Sequence, residues 1–207
     1  TTMPDTAYLA HADQRTADIL ASARRAFVEK GFDGASMQDL ARTAGMSVGN
    51  FYRYFPSKAA IVEALIAQDL DAMSRDFRAI LTAPVPFEAL RQTIRRHVMS
   101  DCDGDGALWA EISAAALRKP EIGAITGNME TQIVGNLAKV FALVTGLSET
   151  EARARFSAEA ELIVLLVKAA AMQGPSGRPD RGHLTDLILR IIDQTLDAIA
   201  ASALHKG

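Results

Sequence analysis

The sequence predicts an all-α protein of about nine helices. Throughout its 207 residues, apolar side chains recur at intervals of three and four, which is the spacing of one helix face, and no stretch alternates as a half-buried strand does. Serine precedes an acidic residue by three positions at Ser36 and Ser148, a pattern typical of a capped helix start. Hydrophobic residues make up 49% of the chain and charged residues 23%, a composition that favours a folded core over disorder.

The N-terminal quarter predicts a unit of three short helices. Residues 1–12 lack a continuous apolar face and are expected to form a flexible tail. The first helix ends at Gly31, and its apolar stripe consists of Ile19, Leu20, Ala23, Phe27 and Val28. Two further helices lie within SMQDLARTAGMSVGNFYRYFP: the first starts after Ser36 and stops at Ala44–Gly45, and the second starts after Ser47 and is limited at Phe55 by the proline that follows.

The rest of the chain predicts longer helices separated by clear breaks. Ser57 begins a long helix, Pro86 and Pro120 begin two others, and a glycine-rich turn at 103–106 precedes a fourth. The box at Ser148 opens a helix that runs to about residue 173, a loop follows at 174–179, and the last helix spans about 182–203.

The two short helices joined at Ala44–Gly45–Met46 match a helix-turn-helix, whose turn is short and often contains glycine. At 100° per residue, the last helix of the pair has an inner and an outer face. The inner face carries Val48, Phe51, Tyr52 and Phe55, with Tyr52 at its border, and the outer face carries Gly49, Asn50, Arg53 and Tyr54. An amide, a guanidinium and a phenol are groups that read base edges and bind phosphates, so this face is a candidate DNA surface.

A plain three-helix packing unit explains the same periodicity. The net charge of the chain is −3, so the strongly basic footprint of many DNA-binding proteins is absent. Between residues 36 and 58, however, Arg42, Arg53 and Lys58 outnumber Asp39, which favours a DNA surface weakly.

The run SMQDLARTAGMSVGNFYRYFPSKAAIVEAL resembles the DNA-binding segment of the TetR (tetracycline-repressor) family of bacterial transcription regulators. The likeness lies in the Ala-Gly turn, in the Phe-Tyr-x-x-Phe-x-x-Lys pattern and in the flanking helices, and it covers roughly residues 14–66. Ser36 stands where threonine is frequent and keeps the hydroxyl. The remainder is similar to the family only in its length and its helical pattern.

The resemblance implies a DNA-binding role for ten residues. It places Ser36 and Gln38 near DNA at the start of the second helix, and it adds the cap Ser47 to the set. It implies base contacts for Val48, Gly49, Asn50 and Arg53, and phosphate contacts for Tyr52, Tyr54 and Lys58.

The resemblance also implies a helix-turn-helix domain over residues 13–56 and a larger effector-binding and dimerisation domain over residues 57–207. Adaptable, aromatic or polar residues that could line an effector pocket are Met73, Phe77, His97, Trp109, Met129, Phe141 and Met172, although each also suits a plain core or surface. The final two helices are expected to pair with those of a second subunit through Leu162, Leu166, Leu184, Ile188, Ile191 and Thr195; an intramolecular core is the alternative.

No motif indicates a cofactor, a metal or a catalytic centre. The run at 101–106 begins like a calcium loop, but Ile112 stands where the closing glutamate is needed. The only cysteine is Cys102, which suits a reducing compartment, and the longest apolar run is too short to cross a bilayer, so we expect a cytoplasmic protein. The sequence therefore predicts a DNA-binding regulator, most simply a repressor that a small molecule releases from double-stranded operator DNA. The alternatives are a helical-bundle enzyme or ligand carrier without specific DNA binding, and a helical interaction protein.

Overall fold

The computed structural model describes residues 6–99, 105–172 and 181–204, with side chains from residue 14 onward except those of Asp105, Arg181 and Leu204. Every regular element in these ranges is an α-helix, so the all-α prediction is confirmed. The nine helices are α1 (Thr6–Lys30), α2 (Met37–Thr43), α3 (Val48–Tyr54), α4 (Lys58–Leu81), α5 (Pro86–Met99), α6 (Asp105–Ala116), α7 (Pro120–Thr145), α8 (Glu149–Ala171) and α9 (Arg181–Leu204).

The helix boundaries follow the local signals closely, with two differences. Helix α1 begins at Thr6, within the residues expected to form the tail, and α6 already includes Gly106, which was expected in a turn. Both capping boxes are confirmed, at Ser36 with Asp39 and at Ser148 with Glu151. The tail residues 1–5, the acidic run 101–104 with its cysteine, and the loop 174–179 lie outside the described residues.

The chain divides into two compact units. Unit 1 comprises the described residues up to Gln68 together with Ala107–Thr126, and unit 2 comprises those of Asp69–Gly106 and Gly127–Gly207. Helices α4, α6 and α7 therefore contribute residues to both units. The sequence placed a functional boundary after residue 56, and that division stays a prediction.

Unit 1 is built around phenylalanine rings. Phe27 and Phe32 contact each other with 5.3 Å between ring centroids, and both are buried. The apolar residues buried with them are Ile19, Leu20, Ala23, Leu40, Ala41, Phe51, Ile61, Val62 and Leu65. This core fixes α1, α2 and α3 as one unit, because none of these helices buries its apolar face alone.

Unit 2 has its own aromatic core and a polar link between two of its helices. The ring of Phe141 is fully buried between Phe87 and Phe156, in edge-to-face contacts at 5.9 and 6.2 Å. Arg91 of α5 donates to both Asp193 and Asp197 of α9, and although burial opposes the charge, these bonds raise the pKa of its guanidinium. Within the described part of the chain, no helix is apolar over a length that would span a membrane.

Candidate nucleic-acid interface

Local signals in the sequence set the start and the end of α3. The Ser47 hydroxyl accepts a hydrogen bond from the Asn50 amide at 3.3 Å and caps the helix, as predicted. The helix ends after seven residues because Phe55 adopts an extended backbone ahead of Pro56. In the turn before it, Gly45 takes a positive φ of 65°, which few residues other than glycine tolerate.

Two aromatic side chains anchor α3 to the rest of unit 1. Phe51 and Phe55 are buried, with 6.2 Å between their ring centroids, and α2 packs on α3 with Leu40 and Ala41 fully buried. Because these two rings lie four residues apart, they fill the inner face of so short a helix. The inward prediction is confirmed for Phe51 and Phe55.

The opposite face of α3 is open to solvent. Gly49, Asn50 and Arg53 are exposed, and Tyr54 is exposed over 39% of its surface. The wheel placed Tyr52 on the inner face, and this is corrected: its side chain is 46% exposed, because Phe51 and Phe55 already occupy the available core. A Cβ atom built on Gly49 meets no protein atom within 4 Å, so the packing of the protein does not require a glycine there.

The start of α2 is held by Asp39. Its carboxylate accepts from the Ser36 amide at 3.0 Å and binds Lys30 at 2.6 Å and Arg42 at 3.3 Å. The Lys30 ammonium first, and the Ser36 hydrogen bonds next, hold the pKa of this carboxyl well below its usual range. The Ser36 hydroxyl accepts from the Asp39 amide, so it serves as a cap, whereas Gln38 is exposed.

Lys58 is bonded to the turn that follows α1. Its ammonium donates to Phe32 O at 2.6 Å, lies 3.4 Å from Asp33 O, and sits 4.8 Å from the centroid of the Phe32 ring. Burial lowers the pKa of the Lys58 ammonium. Its assignment to a phosphate stays a prediction, and the sequence carried no local signal for its bond to a residue 26 positions away.

A family of regulators matches this part of the chain. The family model described as bacterial regulatory proteins, tetR family, covers residues 19–65, which include α2, α3 and the turn between them. Residues 19–65 are thus similar to the tetR family of regulators. The predicted resemblance is thereby confirmed.

Similar proteins extend the comparison beyond this segment. The HTH-type transcriptional regulator UidR of Escherichia coli K12 is 31% identical over 121 residues, which are 58% of this chain and 61% of UidR. The chain thus spans less than two thirds of this curated relative. Among solved structures, Salmonella enterica GusR has a TM-score of 0.69 at 22% identity, over 89% of this chain and 96% of GusR. AibR, in complex with isovaleryl coenzyme A and operator DNA, has a TM-score of 0.62 at 18% identity, over 86% of this chain and 97% of AibR. The two structures show the fold alone.

The predicted effector residues fall in both units of the tetR-like fold. Trp109 belongs to unit 1, and the other six, Met73, Phe77, His97, Met129, Phe141 and Met172, belong to unit 2. Phe141 contributes its ring to the core, and the Nδ1 atom of His97 lies 2.9 Å from Thr93 O. A cleft of about 610 Å³ in unit 2 is lined instead by residues of α7 and α8, including Glu130, Arg153, Leu162 and Lys168, and by none of the seven.

The predicted dimer residues separate into buried and exposed ones. Ile188 is buried in the core of unit 2 at 5% exposure, so its predicted place on a partner-facing surface is corrected. Leu162 and Leu184 are exposed, and Leu166, Ile191 and Thr195 are half-buried. The sequence interpretation missed two exposed leucines, Leu165 on α8 and Leu187 on α9, although each lies three residues from a chosen one and so shares its helix face.

Proposed function

We propose that the protein is a sequence-specific, DNA-binding transcriptional regulator, and that it acts as a repressor. The observation that carries this proposal is the outer face of α3, which exposes Gly49, Asn50, Arg53 and Tyr54. The opposite side of the helix is anchored in the core by two buried phenylalanines. Tyr52, which borders the outer face, is also exposed, so two phenol groups lie beside the amide and the guanidinium.

The chemistry of this face suits the major groove of DNA. A seven-residue helix is about 10 Å long at 1.5 Å per residue, and the groove is about 12 Å wide. Arg53 has the fork of donors that pairs with guanine O6 and N7, and Asn50 has the amide that pairs with adenine N6 and N7. The phenol hydroxyls of Tyr52 and Tyr54 can donate to flanking phosphates, which positions the helix without reading sequence.

We propose a homodimer formed through α8 and α9. Support comes from leucines left exposed on both helices, Leu162 and Leu165 on one and Leu184 and Leu187 on the other. Apolar side chains at such helical spacing are typical of a surface that another helix covers. A two-fold dimer binds a near-palindrome whose half-sites lie about 34–36 Å apart, or a multiple of that distance.

We further propose that a small molecule releases the protein from DNA. AibR was solved with isovaleryl coenzyme A and operator DNA together, and a similar fold in this chain supports a comparable response. Helix α4 contributes Lys58–Gln68 to unit 1 and Asp69–Leu81 to unit 2, so it offers a continuous backbone for such a response. A ligand shifts the equilibrium only by its preference for the arrangement that does not bind DNA.

The experiment that tests the function is retention of duplex DNA by the purified protein. From a pool of random duplexes, a regulator retains and enriches a defined sequence, whereas a helical-bundle enzyme, a ligand carrier or an interaction protein does not. UidR, the curated relative described above, is a transcriptional regulator. That the present protein lacks catalytic activity and lies in the cytoplasm stays a prediction.

A further inference from the structure

The turn between α1 and α2, residues 31–34, is held by charged side chains from distant parts of unit 1. Its central residue is Phe32, whose ring is buried against Phe27. Each backbone polar group of Phe32 is bonded to a charged side chain: the carbonyl to Lys58 of α4 and the amide to Glu111 of α6. We call this arrangement the Phe32 clamp.

The Lys58 side of the clamp bonds the cation to the turn. One Nζ atom lies within hydrogen-bonding distance of two successive carbonyl oxygens, 2.6 Å from Phe32 O and 3.4 Å from Asp33 O, and it lies near the face of the Phe32 ring. An ammonium has three donors, and here two of them meet carbonyl oxygens while the charge lies over an aromatic ring.

The Glu111 side replaces a bond that α1 would ordinarily make with itself. After a helix that ends at a glycine of positive φ, such as Gly31, the next amide commonly returns to a carbonyl of the same helix. Here the Phe32 amide donates to Glu111 Oε2 at 2.9 Å, from a residue 79 positions away. A charged acceptor strengthens such a bond, so the end of α1 is tied to α6.

Asp33 adds a second tie to the same turn. Its carboxylate binds Arg118 at 2.7 Å and Lys119 at 3.1 Å, just beyond the end of α6, and the pKa of Asp33 is lowered by these two cations. The turn leads directly into α2, since the Ala35 amide donates to Gly31 O and Ser36 caps the next helix. The direction in which the chain enters α2 and α3 therefore depends on how this turn is held.

We propose that Lys58 and Glu111 are positioning residues for DNA binding, which set α2 and α3 through the Phe32 peptide groups, and that these bonds of Lys58, rather than a phosphate contact, account for its effect on DNA binding. The inference rests on the proposed function and departs from the role that the resemblance implies for Lys58. Two of the three donors of the Lys58 ammonium already meet carbonyl oxygens of this turn.

Salt dependence distinguishes the two roles of Lys58. Each phosphate contact releases counterions and contributes about 0.9 to the slope of log K against log salt concentration, whereas a positioning residue contributes nothing to that slope. The variants are Lys58→Met, Lys58→Arg and Glu111→Gln, with Lys139→Met, an exposed lysine of α7 in unit 2, as the control for a lost charge. The probes are a random-sequence duplex and the duplex enriched from a random pool, at a temperature at which circular dichroism shows each variant folded.

We expect folded Lys58→Met to bind the enriched duplex about tenfold more weakly, with the slope of the wild type, because the lost hydrogen bond to a charged group stabilises the turn in the arrangement that binds DNA. Lys58→Arg shows the same loss, because a planar guanidinium does not fit between the two carbonyls, although it binds phosphate well. Hydrogen exchange at the Phe32 amide becomes faster in Lys58→Met and in Glu111→Gln, and Lys139→Met resembles the wild type in every measurement.

The proposal is overturned if the salt dependence of Lys58→Met is shallower than that of the wild type, by about 0.9 in slope for each lost contact, while Lys58→Arg restores affinity for the enriched duplex. It is also overturned if the folded variants melt at a lower temperature but bind as the wild type does, since the clamp is then only structural. If Lys58→Met does not fold, Lys58→Arg and Glu111→Gln decide by the same criteria. If the wild type itself retains no DNA, the proposed function is contradicted instead. If hydrogen exchange at the Phe32 amide is the same in the variants as in the wild type, the clamp itself is contradicted.

Discussion

At the scale of single residues, Gly49 is a position where a substitution should affect DNA binding without disturbing the fold. Its position in α3 has open space around it, so a methyl group added there touches nothing in the protein. Gly49→Ala should fold as well as the wild type, or be more stable by about 0.5–1 kcal/mol, because alanine favours the helix. We expect the same change to weaken binding to the enriched duplex, since the added methyl group lies where the helix meets DNA.

Thermal melting and duplex titration of Gly49→Ala check this expectation together. Gly127→Ala, at a second glycine with open space in a helix, is the matched control and should leave DNA binding unchanged. Equal affinities for wild type and Gly49→Ala would show that DNA does not approach the backbone at this residue.

Asp39 predicts a pH dependence of stability. Its pKa is lowered in the folded protein, so its contribution to the free energy of unfolding is present above the pKa of an unfolded aspartate and is lost as the pH falls through the folded pKa. Asp39→Asn should therefore be less stable than the wild type at pH 7, and the difference should shrink below about pH 4.

Urea unfolding of both proteins between pH 3 and pH 7 measures this difference. Asp71→Asn, at an exposed carboxylate of α4, controls for the loss of one negative charge. A difference between Asp39→Asn and the wild type that stays constant over the whole range would contradict the ion pair with Lys30.

The side-chain hydrogen bonds that the sequence predicted are those whose two partners lie close together in the chain. The caps at Ser36, Ser47 and Ser148 follow from a hydroxyl and an amide three positions apart. The bonds of Lys58 and Glu111 to Phe32 were not predictable in this way, because they join residues 26 and 79 positions apart and depend on how whole helices pack.

At the scale of helices, the first turn of α6 makes the closest backbone approach found at any described glycine of unit 2. A Cβ atom on Gly106 would lie 2.1 Å from the Ala171 carbonyl oxygen at the end of α8. A carbonyl cannot yield as a flexible side chain can, so Gly106→Ala should force the backbone at Gly106 away from Ala171. We expect a loss of about 1–3 kcal/mol in the free energy of unfolding.

Denaturant unfolding of Gly106→Ala, compared with Gly127→Ala, tests this approach. Gly127 lies in α7 and has open space, so its alanine variant should be as stable as the wild type or more stable. Equal stabilities for the two alanine variants would contradict the close approach of Gly106 to the Ala171 carbonyl.

Helices were predicted more reliably than the faces they bury. Periodicity places apolar residues on one side of α9, but the stripe is wide enough to cover a core and a partner at once. The structure assigns Ile188 to the core and leaves Leu187 exposed, a division that depends on where α8 and α5 contact α9. A single helix wheel contains no information on that contact.

At the scale of the whole molecule, the exposed leucines of α8 and α9 predict a dimer. Leu165→Glu with Leu187→Glu should give a folded monomer, because both side chains are largely exposed in the single chain, at 62% and 46%. Light scattering and circular dichroism would show half the mass with unchanged helicity, and tight DNA binding should be lost with the second subunit.

Leu143→Glu, at an exposed leucine of α7, is the control for a new surface charge and should remain a dimer. Ile188→Glu is expected to misfold instead, since it places a charge in the core of unit 2. A folded dimer that survives both charges at Leu165 and Leu187 would place the interface elsewhere.

The most direct measurement of the central claim is selection from random duplexes by the wild type, by Arg53→Ala and by Asn50→Ala. We expect the wild type to enrich a near-palindrome, and each variant to bind it more weakly by about 1–3 kcal/mol while losing preference at particular base pairs of each half-site. If both variants enrich the same sequence with the affinity of the wild type, or if the wild type enriches none, the outer face of α3 does not read DNA.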